Sequence, residues 1–231
     1  MLALGALALL LLFLAAPAGA ASGRTVSVAA TATIEVPRDS ARLGFGVFKE
    51  RPTRGAALRA ASAKLRRVIA AARSVPGVEP GAVGTGAISV HKVTRGAKTV
   101  YRATQGVSVT LSQADRAGEL VRKAIAAGAT GVRGPYFFVA DTDGAARRAL
   151  AAAFAKAQAR AATLAAAAGA TLGPVLTIDE GGETKVEIVA PKSEDNVGSS
   201  FESASEAEPA PPTKPGRAKV RATVHAVFEL L

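Results

Sequence analysis

The sequence predicts an α+β fold: a mixed or antiparallel sheet with about three helices packed on it. Three observations lead there. Several segments alternate apolar and polar residues with period two, as half-buried strands do. Three longer segments repeat apolar residues at three- and four-residue spacing, the stripe of a helix packed on a core. Many of the strands are joined by short turns, so the order reads ββ-α-ββ-α-β-α-ββ-β and favours antiparallel pairing over a parallel doubly wound sheet.

The elements follow in order. Val26, Val28, Ala30, Ala32, Ile34 and Val36 share one face of a first strand, with Ser27, Thr31, Thr33 and Glu35 on the other. Pro37-Arg38-Asp39 turns the chain, and Leu43, Phe45 and Val47 alternate in a second strand, so the two read as a hairpin. Thr53 to Ser74 forms a helix whose stripe is Leu58, Ala61, Leu65, Val68, Ile69 and Ala72, ended by Pro76-Gly77. Ala87 to Lys92 and Val100 to Leu111 are strands about a turn at Arg95-Gly96. Ser112 and Asp115 have the spacing of a capping box at the start of a short helix carrying Leu120, Val121, Ala124 and Ile125, closed by Gly128. Val132 to Ala140 is an apolar strand. Asp141 or Asp143 caps the longest helix, whose stripe is Leu150, Phe154, Ala157, Ala161, Leu164, Ala165 and Ala168. Val175 to Ile178 and Lys185 to Val189 are strands around Gly181-Gly182. The closing strand alternates Val220, Ala222, Val224, Ala226, Phe228 and Leu230 with polar residues and returns to the sheet.

Two segments lie outside that core. Leu2 to Ala16 is unbroken apolar sequence followed by small residues, and Ala18-Gly19-Ala20 fits an A-x-A cleavage site, so residues 1–20 read as a secretory signal peptide. The run is shorter than the ~20 residues that span a bilayer, so no integral span is expected after cleavage. Residues 191–216 are dominated by Ser, Glu, Ala and Pro and read as a disordered acidic insertion within the 21–231 domain.

The 231 residues carry a net charge of +11, unevenly spread. Five acids against Lys192 and Lys214 give Ala190 to Gly216 a net −3, leaving +14 on the rest of the chain. Arg59, Arg66, Arg67, Arg148 and Arg160 fall off the apolar stripes of two helices and are the candidate anion-binding residues, for a lipid headgroup or a cell-wall polymer. A solvated basic surface is the plain reading of the same charges. The absence of cysteine excludes disulfides, thiolate nucleophiles, Cys-ligated zinc, iron–sulfur clusters and a lipobox anchor. His91 and His225 stand without clustered acids and make no metal set. No nucleophile elbow, HExxH or P-loop is present, so neither enzyme chemistry nor a cofactor is expected. Tryptophan is absent and tyrosine scarce, so nucleic acid is not an expected partner.

Several of these segments resemble the SIMPL-domain family. The first strand followed by Pro37-Arg38-Asp39-Ser40-Ala41 is similar to the family's strand and Pro-Asp-x-Ala turn, with Arg38 interposed and Ala30 and Ala32 where glycines are common. Thr85, Ile88 and Tyr101-Arg102 look like its central signature. Ala153, Ala157 and Ala161, then Leu164-Ala165, lead into Gly169-Ala170-Thr171-Leu172-Gly173-Pro174-Val175, Ile178 and Glu180, similar to its C-terminal motif. The resemblance spans about Thr25 to Leu231. It implies a bacterial envelope protein, periplasmic or secreted, of a family that includes periplasmic immunogenic proteins and proteins linked to oxidative-stress tolerance. It supplies no catalytic residues. Homo-oligomer formation is the expected mode of action, with binding of anionic envelope polymers or lipids as the alternative.

Overall fold

A computed structural model describes residues 23–182, 185–187 and 213–231, the 185–187 stretch by its backbone alone. The signal segment and nearly all of the acidic insertion lie outside the described residues. The last four residues of that insertion, 213–216, run as coil, and the Gly216 carbonyl accepts a bond from the Arg38 N–H at 3.2 Å.

The fold is α+β, and its strands divide into two antiparallel sheets. The strands are β1 (Thr25–Pro37), β2 (Ser40–Arg51), β3 (Val83–Arg95), β4 (Lys98–Leu111), β5 (Gly131–Phe138), β6 (Leu172–Glu180), β7 (Lys185–Glu187) and β8 (Arg217–Leu230). The helices are α1 (Arg54–Arg73), α2 (Ala117–Ala126) and α3 (Thr142–Ala167), with 3-10 turns at Pro80–Ala82 and Ala114–Arg116. The first sheet has the order β1-β8-β6, with β7 following β6 along the same edge of β8. The second has the order β3-β4-β2-β5.

Each sheet has its own helices and its own core. In the second sheet Leu43, Phe45 and Val47 of β2 and Val107, Val109 and Leu111 of β4 point one way. They meet Leu65, Val68 and Ala72 of α1 and Leu120, Val121 and Ala124 of α2. In the first sheet Val28 and Ala30 of β1 and Ala226 and Phe228 of β8 pack on Ala157 and Ala161 of α3. Nearer the start of α3, Val36, Ala218, Val220 and Ala222 pack on Ala145 and Ala149.

Helix α1 starts where expected: the Thr53 hydroxyl accepts the Ala56 N–H at 3.3 Å. Asp141 caps α3, its carboxylate accepting the Gly144 N–H at 2.7 Å. The turn after β3 closes through Gly96 at φ +59°, and Gly128 ends the second helical segment at φ +105°.

Four expectations need correcting. First, β1 and β2 do not form a hairpin. β1 pairs with β8 over its whole length, from Thr25↔Glu229 to Pro37↔Arg217, while β2 lies between β4 and β5. Arg38-Asp39 lacks the glycine that a two-residue hairpin turn favours. Instead it carries the chain from one sheet to the other, anchored where the Asp39 carbonyl accepts the Ala114 N–H and its carboxylate the Ala140 N–H, both at 2.9 Å. Second, Ser112 caps nothing. Its hydroxyl and N–H both donate to the Gly77 carbonyl, and α2 begins after the 3-10 turn without a side-chain cap. Third, the buried stripe of α3 is Ala145, Ala149, Ala153, Ala157, Ala161 and Ala165, while Leu164 is 51% exposed, Ala168 is exposed, and Leu150 and Phe154 are half-buried. With short side chains all along that face the helix lies close to the strands, and the larger residues fall to either side. Fourth, Leu58 of the predicted α1 stripe lies at the exposed edge of that helix, and Ala57 takes its place in the core.

Candidate functional site

The five arginines do not converge. Arg59, Arg66 and Arg67 are exposed on α1, which covers the second sheet; Arg148 and Arg160 are exposed on α3, which covers the first. Arg160 has a specific engagement instead. Its guanidinium donates to the Ala29 carbonyl of β1 at 2.8 Å, and Lys156, one turn earlier, donates to the Thr31 carbonyl at 3.1 Å.

These bonds cover a sheet edge. Thr31 sits opposite Thr223 with their hydroxyls 2.9 Å apart, the close side-chain approach of a non-hydrogen-bonded pair. The Thr31 backbone therefore points outward, as do Ala29 and Glu35 at the same alternation. Arg217 covers the third of these, donating to the Glu35 carbonyl at 3.1 Å and pairing with the Glu35 carboxylate at 3.3 Å. Basic side chains thus cap the Ala29, Thr31 and Glu35 acceptors of β1, an arrangement that hinders another strand from adding there.

The opposite edge is different. On β6, Val175, Leu176 and Ile178 are exposed by 39%, 55% and 56%. Ile178 joins Leu150 and Phe154 of α3 and Val224 of β8 in an open apolar groove between α3 and β6, with Glu180 at one end. Pro174 has no N–H to offer, so a strand added here would lack one ladder bond at that position.

The histidines belong to different sheets: His91 faces Arg102 across β3 and β4, and His225 faces Ala29 and Asp179 in the first sheet. Among the described residues no group of three or more His, Cys, Asp or Glu is placed to hold a metal ion. Among them, too, no helix is long and apolar enough to cross a membrane.

One charged cluster escaped the sequence reading. Glu50 on β2 accepts from Arg95 at 3.1 Å and from Arg102 at 2.8 Å, and the Arg102 guanidinium also lies 4.9 Å from the centre of the Phe48 ring. The spacing of Glu50, Arg95 and Arg102 along the chain carries no signal; only the register of three strands joins them. The hydrogen bond from Arg95, then that from Arg102, holds the Glu50 carboxyl below the usual carboxylate range. A native value below the unfolded one means that the cluster stabilises the fold above the ordinary carboxylate range, and that this contribution is lost as pH falls through the native value. Glu50→Gln should therefore lower the urea midpoint at neutral pH. The gap between the two proteins should close on acidification.

No curated protein matches the chain. Residues 26–228 match the SIMPL family, described as a protein of unknown function (DUF541). That match takes in both sheets, all three helices and the Asp39 crossing, and so covers most of the chain: this protein belongs to the SIMPL family.

Proposed function

We propose that this is an exported, non-enzymatic protein of the cell envelope, periplasmic or secreted, which assembles with copies of itself and serves envelope or oxidative-stress tolerance. Export is supported by the apolar run from Leu2 to Ala16 and the small residues Ala18-Gly19-Ala20. Self-association is supported by one observation above the others, the inequality of the two edges of the first sheet. Lys156, Arg160 and Arg217 guard β1, whereas β6 leaves Val175, Leu176 and Ile178 exposed beside the α3 groove. An apolar strip at one edge suits a two-fold contact in which each copy presents the same surface. The absolute mass of residues 21–231 by light scattering tests it. The native chain should be an assembly that persists at high salt, and Ile178→Lys should shift it towards monomer by placing a charge in the contact. A strictly monomeric native protein at high concentration removes the reading.

A second reading is binding of anionic lipids or cell-wall polymers through the basic helix faces. It is supported by the like charges gathered near Lys64 of α1, Lys49 of β2 and Arg67 of α1, which add to burial, the larger cause, in pushing the Lys64 ammonium below its ordinary range. An anion bound at Arg67 would relieve that repulsion. Binding that fails to weaken with added salt removes this reading.

A further inference from the structure

Among the described residues, the second sheet has helices on one face only. Its other face carries two rims in which arginine is set against an aromatic ring. On one side Arg42 lies 5.8 Å from the Phe138 ring centre, beside Arg133 and a Tyr136 that is 66% exposed. On the other, Arg102 lies over Phe48, itself 41% exposed. Register puts these on the same face: Arg42 pairs with Tyr136, and Gly44 with Arg133, all on the side away from Leu43 and Phe45. The acid on this face, Glu50, is already bound to Arg95 and Arg102. Arg42 and Arg133 have no carboxylate partner among the described residues. Among the described residues the face therefore presents a net positive charge, with Glu50 its one acid.

Between the rims the floor is bare. Gly46 pairs with Gly106 on β4 and with Gly131 on β5, and Gly86 lies across from Gly106 in the bulge of β3. At the ~4.8 Å strand spacing these four strands give a floor about 14 Å long. The fold does not require glycine there. None of the four has a positive φ, and a Cβ built on Gly46 or Gly131 would meet nothing within 4 Å. Glycine within a strand gives up side-chain packing and conformational entropy, a sacrifice often found where another molecule comes close to the backbone.

We propose that this face binds a glycan strand bearing carboxylates, lying across the strands between the two arginine–aromatic rims. The central strands have spent their N–H and C=O groups on pairing, so the floor cannot add a peptide by backbone bonds. A flat ligand with apolar C–H faces and polar edges suits it, and sugar rings have that character. Tyr136 and Phe48 offer ring faces, Thr104 offers a hydroxyl, and Arg42 and Arg133 offer paired N–H donors matched to carboxylate. The inference is independent of self-association and uses a different surface from the arginines of α1.

Alginate oligosaccharides, neutral dextran, polyphosphate and anionic phospholipid vesicles, titrated against residues 21–231, provide the test. Alginate should bind. Arg133→Ala and Gly46→Val should each weaken it by about tenfold, whereas Arg122→Ala, exposed on α2, should leave it unchanged. Gly46→Val should keep or raise the melting temperature, since valine suits an open strand position. The proposal is overturned if alginate does not bind, if polyphosphate or vesicles bind as well as alginate, or if Arg122→Ala weakens binding as much as Arg133→Ala. It is also overturned if Gly46→Val binds normally or melts lower, because the glycine would then serve the fold alone.

Discussion

Replacing Phe228 with Ala is expected to lower the unfolding free energy by about 3–5 kcal/mol, read as a fall in the urea midpoint. Phe228 is 2% exposed on β8, the strand shared by both halves of the first sheet, where it pairs with Val26 on β1 and Val175 on β6. Its ring stacks on Phe154 with centroids 6.2 Å apart. The other buried members of its cluster are Val28, Ala30, Ala157, Ala161 and Ala226. The size of the loss after such a truncation depends on how far the neighbours collapse into the space. Alanine has no side chain to extend, and α3 is fixed against β1 by Lys156 and Arg160, so the cavity should persist. A loss below about 1 kcal/mol would mean that α3 had moved inward to fill it.

Much of the fold was legible because its signals are local. The alternation from Val26 to Val36 and from Val220 to Leu230 comes from one face being dry and the other wet, and the structure has strands at both places. The Thr53 cap, the Asp141 cap and the Gly96 turn are likewise set by residues within a few positions of each other. What was not legible was partnership. Thr25 pairs with Glu229, almost the full chain away, so nothing near Pro37-Arg38-Asp39 indicates that the two strands flanking it join different sheets. Ser112 had the spacing of a cap but was drawn instead to the Gly77 carbonyl, a contact made only once α1 and its exit loop are in place.

The candidate sites divide in the same way. Residue type alone nominated the helix arginines, and all five are exposed. Arg160 has the same local appearance, yet it serves the edge of β1, because the helix axis brings it over the Ala29 carbonyl. The open face of the second sheet left a partial trace: Gly44 and Gly46 alternate with Leu43, Phe45 and Val47, so a bare outer face on β2 could have been read directly. That Gly106 and Gly131 continue it, and that Arg133 and Tyr136 border it, depends on the strand order β3-β4-β2-β5.

The alanine face of α3 leads to the other large effect. Ala157→Leu is expected to destabilise the protein by about 1–3 kcal/mol, although it adds apolar surface to a buried site. Ala157 is fully buried between Val28 and Ala30 of β1 and Ala226 and Phe228 of β8, and every fourth residue from Ala145 to Ala165 is buried likewise. A leucine there must push the helix off the strands or force its own χ angles out of their minima. Moving the helix would break the Lys156 and Arg160 bonds to the Thr31 and Ala29 carbonyls and separate the flanking alanines from the sheet. Ala159→Leu, on the exposed side of the same helix, is the control and should change stability by less than about 0.5 kcal/mol. If the two leucines behave alike in urea unfolding, α3 is not held close by its short side chains. If only Ala157→Leu destabilises, small size at these positions is a requirement of the packing, and the larger apolar residues beside the stripe stay at the surface because the close approach leaves them no room beneath.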